Sequence, residues 1–341
     1  KGGVSIAVIG QHFPYTPIAN PSYMVNGWSF GIRPEVLQKN VNKAKKQGAE
    51  IVVLLSHNGF DVDQKLASMI DGIDVILTGH THDAIPKGIR IKDTLLLSSG
   101  SHGKYLGRID LKVKNGKVVD TSSNLIPVFS DIIPPDPDMT KLINKIRAPY
   151  QSECNRVIGE TETLLYRRGN FNGSWDNVIC DTIIRERDTE ISLSPGFRWG
   201  TTLLPGQKIT IDDIYSQTSM NYPEVYRIEM TGKMIKEILE DVCDNIFNPD
   251  PFFQQGGDMV RVGGLTYTCR PKNKMGNRIS NLRIISSDKP LESNKNYVVG
   301  GWGSVNQNVK GPPIYDLLEK YISEKKIIKN NNLEAVKIVG M

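Results

Sequence analysis

Two short stretches decide how this chain is read: Leu54-Leu55-Ser56-His57-Asn58-Gly59 and Leu77-Thr78-Gly79-His80-Thr81-His82-Asp83. Each is an apolar, strand-like run that ends in a small polar residue and then a histidine. Three of the five histidines in the chain fall in these two places. Neutral imidazole is a good ligand for first-row divalent metals, and Gly79 lets the backbone turn sharply enough to present both His80 and His82. With one residue between them, those two side chains can address neighbouring ions about 3.5–4 Å apart, the spacing of two-metal hydrolases. A lone histidine after a strand is usually structural. Three at successive strand ends point to a metal site.

Working outward, short β-branched runs alternate with amphipathic stretches from Val4 to about Asp120, the pattern of strands covered by helices. Val4–Ile9, Glu50–Ser56, Asp74–Thr78, Thr94–Ser98 and Tyr105–Val113 read as strands. Helices are expected at Pro34–Gln47, with proline in the first turn and Gly48 ending it, and around Gln64–Ile70. Asn115-Gly116 is a hairpin turn leading into Lys117–Asp120. The first part is therefore α/β and layered, and its histidines sit where such sheets place their sites, at strand ends. Ile132-Ile133-Pro134-Pro135-Asp136-Pro137-Asp138 is stiff and excludes both helix interior and ladder pairing. It divides the chain into residues 1–133, a linker and bridging helix over 134–155, and a second domain of α+β character over 156–341.

Composition is that of a globular chain, 39% hydrophobic and 23% charged. Its 42 basic residues exceed 37 acidic ones by five, and the lysines are scattered. That is an ordinary solvated surface and gives no reason to expect a nucleic-acid partner. No run approaches the roughly 20 apolar residues of a membrane span. The four cysteines form no CxxC pair.

Gly79-His80-Thr81-His82 and Ser56-His57-Asn58 resemble the last two metal motifs of the calcineurin-like metallophosphoesterases. The resemblance implies that His57, His80 and His82 bind metal in a dinuclear centre. In that superfamily an Asp-x-His, a Gly-Asp and a Gly-Asn-His element complete the centre, and none of the three occurs here. The chain starts at Lys1 and runs at once into a strand, so the remaining ligands and the acid catalyst are expected upstream of Lys1, and the chain by itself is expected to be inactive. Ser194-Pro195-Gly196-Phe197-Arg198, Ile209-Thr210-Ile211-Asp212-Asp213-Ile214-Tyr215 and Glu229-Met230-Thr231-Gly232 resemble the C-terminal domain of the 5′-nucleotidases. That likeness implies a truncated metallophosphoesterase domain followed by a 5′-nucleotidase C-terminal-like domain. The family's two base-clamping elements are replaced here by Ser219-Met220-Asn221-Tyr222-Pro223 and Gly300-Gly301-Trp302-Gly303-Ser304.

Gly10-Gln11-His12-Phe13-Pro14-Tyr15-Thr16-Pro17, the run Gln217 to Tyr222, and the long run Leu239 to Arg261 with Gln254-Gln255-Gly256-Gly257-Asp258 are similar to the SoxB family of thiosulfohydrolases. That resemblance implies a periplasmic enzyme with two divalent metal ions, manganese, that releases sulfate from a cysteine S-thiosulfonate on the carrier SoxYZ. A periplasmic 5′-nucleotidase or sugar-nucleotide phosphatase is the alternative, and a binding protein on the same scaffold a third reading. Arg198 either holds the anion or forms a salt bridge between domains. Tyr222, like Trp199, either lines the substrate channel or packs at a domain seam. His12 either reaches the cleft or is a loop histidine bonded to backbone, and His102 is structural or orients a ligand or a substrate group.

Overall fold

The computed structural model describes residues 2–167, 169–220, 222–305, 309–330 and 335–340. They form two compact units. Unit 1 is Lys1–Pro137 with Pro249–Gly256, and unit 2 is Asp138–Asn248 with Gly257–Met341. The boundary lies at Pro137 rather than 133, residues 138–155 of the expected linker and helix belong to unit 2, and a short piece of the second half of the chain is built into unit 1.

In unit 1 the elements run β1 (Ile6–Gln11), α1 (Thr16–Ala19), α2 (Pro34–Lys46), β2 (Ile51–Ser56), α3 (Phe60–Met69), β3 (Val75–Thr78), β4 (Ile89–Ile91), β5 (Thr94–Ser98), β6 (Tyr105–Lys114) and β7 (Lys117–Pro127). The sheet order is β1-β2-β3-β5-β4. β1, β2, β3 and β5 are parallel, with Gln11 beside Ser56, Ser56 beside Thr78, and Thr78 beside Ser98. Their C-terminal ends therefore lie in one row. Val52, Leu54, Ile76 and Leu96 are buried and meet Leu37 and Val41 of α2 and Leu66 and Ala67 of α3, as expected for parallel strands rich in Val, Ile and Leu. α3 begins four residues earlier than the sequence suggests. Gly59, at φ +106°, turns the chain immediately after β2, and Asp61 and Asp63 occupy the first turn where the helix dipole favours acids. β7 is also longer than expected, because it pairs with β6 as far as Pro127.

Unit 2 runs α4 (Pro137–Arg147), α5 (Gln151–Cys154), β8 (Val157–Thr161), α6 (Ser174–Arg187), β9 (Ile191–Ser194), β10 (Lys208–Thr210), α7 (Ile211–Gln217), β11 (Tyr226–Thr231), α8 (Gly232–Phe247), β12 (Arg261–Gly263), β13 (Leu265–Cys269), β14 (Ile279–Ile284), β15 (Lys289–Pro290), β16 (Asn296–Gly301), α9 (Ile314–Lys325), β17 (Ile327–Ile328) and β18 (Val336–Ile338). The bridging helix expected within 134–155 is interrupted by a 3-10 turn at Ala148–Tyr150, which contains Pro149. Two four-stranded sheets, β11-β16-β9-β12 and β15-β14-β13-β18, share a core with Ile235, Leu239 and Cys243 of α8. A second core gathers Trp175, Ile179 and Ile183 of α6 with Leu318 and Ile322 of α9. The Thr210–Asp213 motif is a helix start. The Thr210 hydroxyl accepts from the Asp213 N–H, and the Asp213 carboxylate accepts from the Thr210 N–H.

Candidate metal centre

The four parallel strands bring all five histidines of the chain to one edge of unit 1. His12 follows β1, His57 follows β2, His80 and His82 follow β3, and His102 lies four residues beyond β5. The rings of His57 and His80 are 5.3 Å apart, and those of His82 and His102 are 5.8 Å apart. His80, His82 and His102 all have positive φ, at 75°, 60° and 60°. Such backbone is uncommon outside glycine and concentrates at functional sites. Gly79 itself has no positive φ, and a Cβ there would meet His57 Nδ1 at 3.4 Å, so the sharp turn expected at Gly79 is carried instead by His80 and His82.

The segment of unit 1 that comes from late in the chain closes over this edge. His80 Nε2 is 2.8 Å from the carbonyl oxygen of Gln255. A carbonyl only accepts, so Nε2 carries the proton and Nδ1 carries the lone pair, which is the arrangement by which a neighbouring carbonyl fixes a ligating tautomer. Gly256, at φ +76°, leaves no room for a side chain: a Cβ would lie 2.6 Å from His80 Nε2. Phe13 covers His80, with ring centres 4.2 Å apart. Tyr15 donates its hydroxyl hydrogen to the carbonyl of Phe252, and Lys65 pairs with Asp250 at 2.6 Å. These two contacts hold the segment in place. Burial lowers the pKa of His57, and a charge on His12 lowers it further, so His57 is kept neutral as a metal ligand must be.

Beneath His57 lies Asp63, which is fully buried. It accepts from Ser56 Oγ at 2.8 Å and Asn58 Nδ2 at 3.0 Å, fixing the residues on both sides of His57. Burial pushes its pKa from 3.8 up to about 6, against hydroxyl and amide donors from Thr78, Asn58 and Ser56 that pull it down. A cavity of about 570 Å³ is lined by His12, Phe13, Met24, Trp28 and Arg33 but by none of His57, His80 or His82.

Among the described residues no three His, Cys, Asp or Glu side chains converge as a finished metal cage. The histidines nevertheless fit a divalent metal as part of a larger donor set: burial favours neutral His57, a carbonyl orients His80, and His80 and His82 stand on positive-φ turns beside it.

In unit 2, Arg198 heads a buried ladder of alternating charge. Its Nε lies 3.2 Å from Asp258 Oδ1. Asp258 accepts from Arg261 at 3.0 Å, Asp176 accepts from Arg261 at 3.1 Å, and Asp176 also accepts from Arg167 at 2.8 Å. Arg167 reaches on to the carbonyls of Gln217 and Pro195. The ion pair of Arg198 is thus internal to unit 2, and its side chain stays 17% exposed. Three guanidiniums against two carboxylates leave the ladder one positive charge in excess. Phe197 and Trp199, on either side of Arg198, stack at 3.8 Å. Tyr222 is half-buried, and Asn221 beside it lies outside the described residues.

Residues 157–303 match the family model of the 5′-nucleotidase C-terminal domain. Snake venom 5′-nucleotidase of Gloydius brevicauda is 22% identical over 87% of this chain and 56% of its own length. The metallophosphoesterase YunD of Bacillus subtilis is 37% identical over a third of this chain and 23% of its own length. Among solved structures, a 5′-nucleotidase precursor of Thermus thermophilus shares the fold, with a TM-score of 0.82 at 19% identity over all of this chain and 73% of its own. These findings, with the strand-end histidines, define a member of the 5′-nucleotidase superfamily, whose named relatives are hydrolases. Within that superfamily the chain is SoxB-like. The sulfate thiohydrolase SoxB of Thermus thermophilus, solved with glycerol, superposes over all of this chain with a TM-score of 0.95 at 35% identity. The chain spans 64% of that protein and 56% of the Gloydius brevicauda venom nucleotidase.

The gathered histidines are legible in the sequence as histidines after strands. Asp63 and the ladder partners Arg167, Asp176 and Arg261 are residues that sequence reasoning misses, whereas the Gln254-Gln255-Gly256-Gly257-Asp258 loop reads from sequence either as shaping the cleft or as a tight turn, and its contact with His80 is not legible there.

Proposed function

We propose that this chain supplies His57, His80 and His82 to a centre of two divalent ions, manganese by preference. The centre releases sulfate from a cysteine S-thiosulfonate borne by the SoxYZ carrier in the periplasm. The observation that carries this reading is the gathering of every histidine at one sheet edge in a chain 35% identical to a sulfate thiohydrolase. Bound there, divalent ions supply Lewis acidity to the oxygens of a tetrahedral anion. The chain's own residues do the positioning. The Gln255 carbonyl holds the His80 proton on Nε2, and Asp63 braces the turn that carries His57. Arg198, fixed through Nε by Asp258, brings a guanidinium suited to charge-assisted bonds with sulfonate oxygens. Tyr222 serves as a wall for the substrate arm.

The match of residues 157–303 to the nucleotidase C-terminal domain supports a second reading, a periplasmic 5′-nucleotidase or sugar-nucleotide phosphatase. The test is made on the protein expressed from its complete reading frame and loaded with manganese. Sulfate release from thiosulfonate-bearing SoxYZ is measured beside phosphate release from AMP. Sulfate without phosphate is expected. Phosphate alone would assign the protein to the nucleotidases, and neither product would overturn both readings.

A further inference from the structure

Cys243 and Cys269 take no part in the chemistry above, yet both are wholly buried and their sulfurs lie 3.6 Å apart. Cys243 sits on the buried face of α8, four residues beyond Leu239 and eight beyond Ile235. Cys269 is the last residue of β13, a strand flanked by β14 and β18. The two thiols thus join a helix to the sheet it covers. As small apolar side chains they would need no mutual contact. The sulfurs are only roughly 1.5 Å beyond the bonding distance of about 2 Å. The two sulfurs are within hydrogen-bonding reach of each other, and that contact is the main cause holding the Cys269 thiol below its usual range against burial.

We propose that Cys243 and Cys269 close to a disulfide when the chain folds in an oxidising compartment. The oxidant is a disulfide-bearing molecule, either a small dithiol–disulfide couple or a protein thiol oxidase. The Cys269 thiolate attacks one of its sulfurs and expels the other as a thiolate. The Cys243 sulfur then attacks the Cys269 sulfur of the mixed disulfide, releasing the second thiolate. Two protons leave the cysteines, two electrons reside in the reduced oxidant, and one Sγ–Sγ bond forms. Between the two cysteines runs the segment Pro249–Gly256 that unit 2 lends to unit 1. The bond therefore ties together the two roots of the loop whose Gln255 carbonyl holds His80.

This inference does not depend on which anion the protein hydrolyses, and neither does its test. The chain is refolded in a buffer of reduced and oxidised glutathione, denatured, alkylated with N-ethylmaleimide and mapped by mass spectrometry. The expected result is loss of two alkylations, with Cys154 and Cys180 modified and the peptides of Cys243 and Cys269 joined and lighter by two hydrogens. Cys154→Ser should keep the same cross-link. Four alkylated cysteines in the wild-type chain, or a cross-link through Cys154 or Cys180, would overturn the proposal.

Discussion

His80 shows how much of this site is decided by single atoms. Its proton is assigned by one carbonyl, and the carbonyl is brought close by a glycine whose missing side chain makes the approach possible. Gly256→Ala should push the ring away and weaken manganese binding about tenfold to a hundredfold, read by calorimetric titration of the complete protein. Affinity equal to wild type would show that Gln255 does not orient the ring. His80→Ala should remove at least one metal equivalent by elemental analysis and abolish turnover. Arg198→Ala should lower turnover with metal content intact, and turnover at the wild-type rate would leave Arg198 a structural member of its ladder. The histidines are legible in the sequence because each strand end announces them. Gln255 is not, since it reaches His80 across 175 residues of sequence, a proximity that only the tertiary fold creates.

At the scale of elements, sequence and structure coincide where periodicity and punctuation agree. β5 begins and ends where its apolar pattern does, and α2 opens at the expected Pro34. They part where a partner outside the element decides: β7 runs on because β6 pairs with it, and α3 starts early because Gly59 frees the chain to turn. The early start places Asp63 under the β2–α3 turn, with a measurable consequence. Its carboxyl is raised from 3.8 to about 6, so the protonated acid favours the fold below roughly pH 4, and that contribution is lost as pH rises through 6. Above that, an ionised, buried carboxylate costs about 3 kcal/mol. Asp63→Asn, which keeps an acceptor for Ser56 and Asn58, should therefore flatten the stability profile between pH 4 and 7 in denaturant titrations. A variant whose profile parallels wild type would place the titration elsewhere. The ladder that ends in Arg198 is equally an element-scale object. Asp258→Asn would strip a buried carboxylate from two guanidiniums and should destabilise unit 2 by about 3–5 kcal/mol, seen as an earlier unfolding midpoint.

Across the whole molecule, two folded units and the fold class of each can be read from the sequence, but not the exchange of chain between them. The proline-rich stretch marks a boundary through composition. Pro249–Gly256 carries prolines of its own, Pro249 and Pro251, but nothing in its composition says which unit it joins, because what makes it part of unit 1 is Lys65, Tyr15 and His80, all far back in the chain. Manganese should accordingly raise the unfolding temperature of unit 1 selectively in calorimetry, and an equal shift in unit 2 would contradict a centre built on the histidine edge. The borrowed segment also sets a rule for recombination. A designer who exchanges the C-terminal half for that of a relative, cutting at the obvious prolines, unknowingly imports a foreign clasp for His80. Chimeras of this fold will keep their metal chemistry only when that octapeptide is chosen to match the host's N-terminal half, so the natural unit of inheritance here is not the domain.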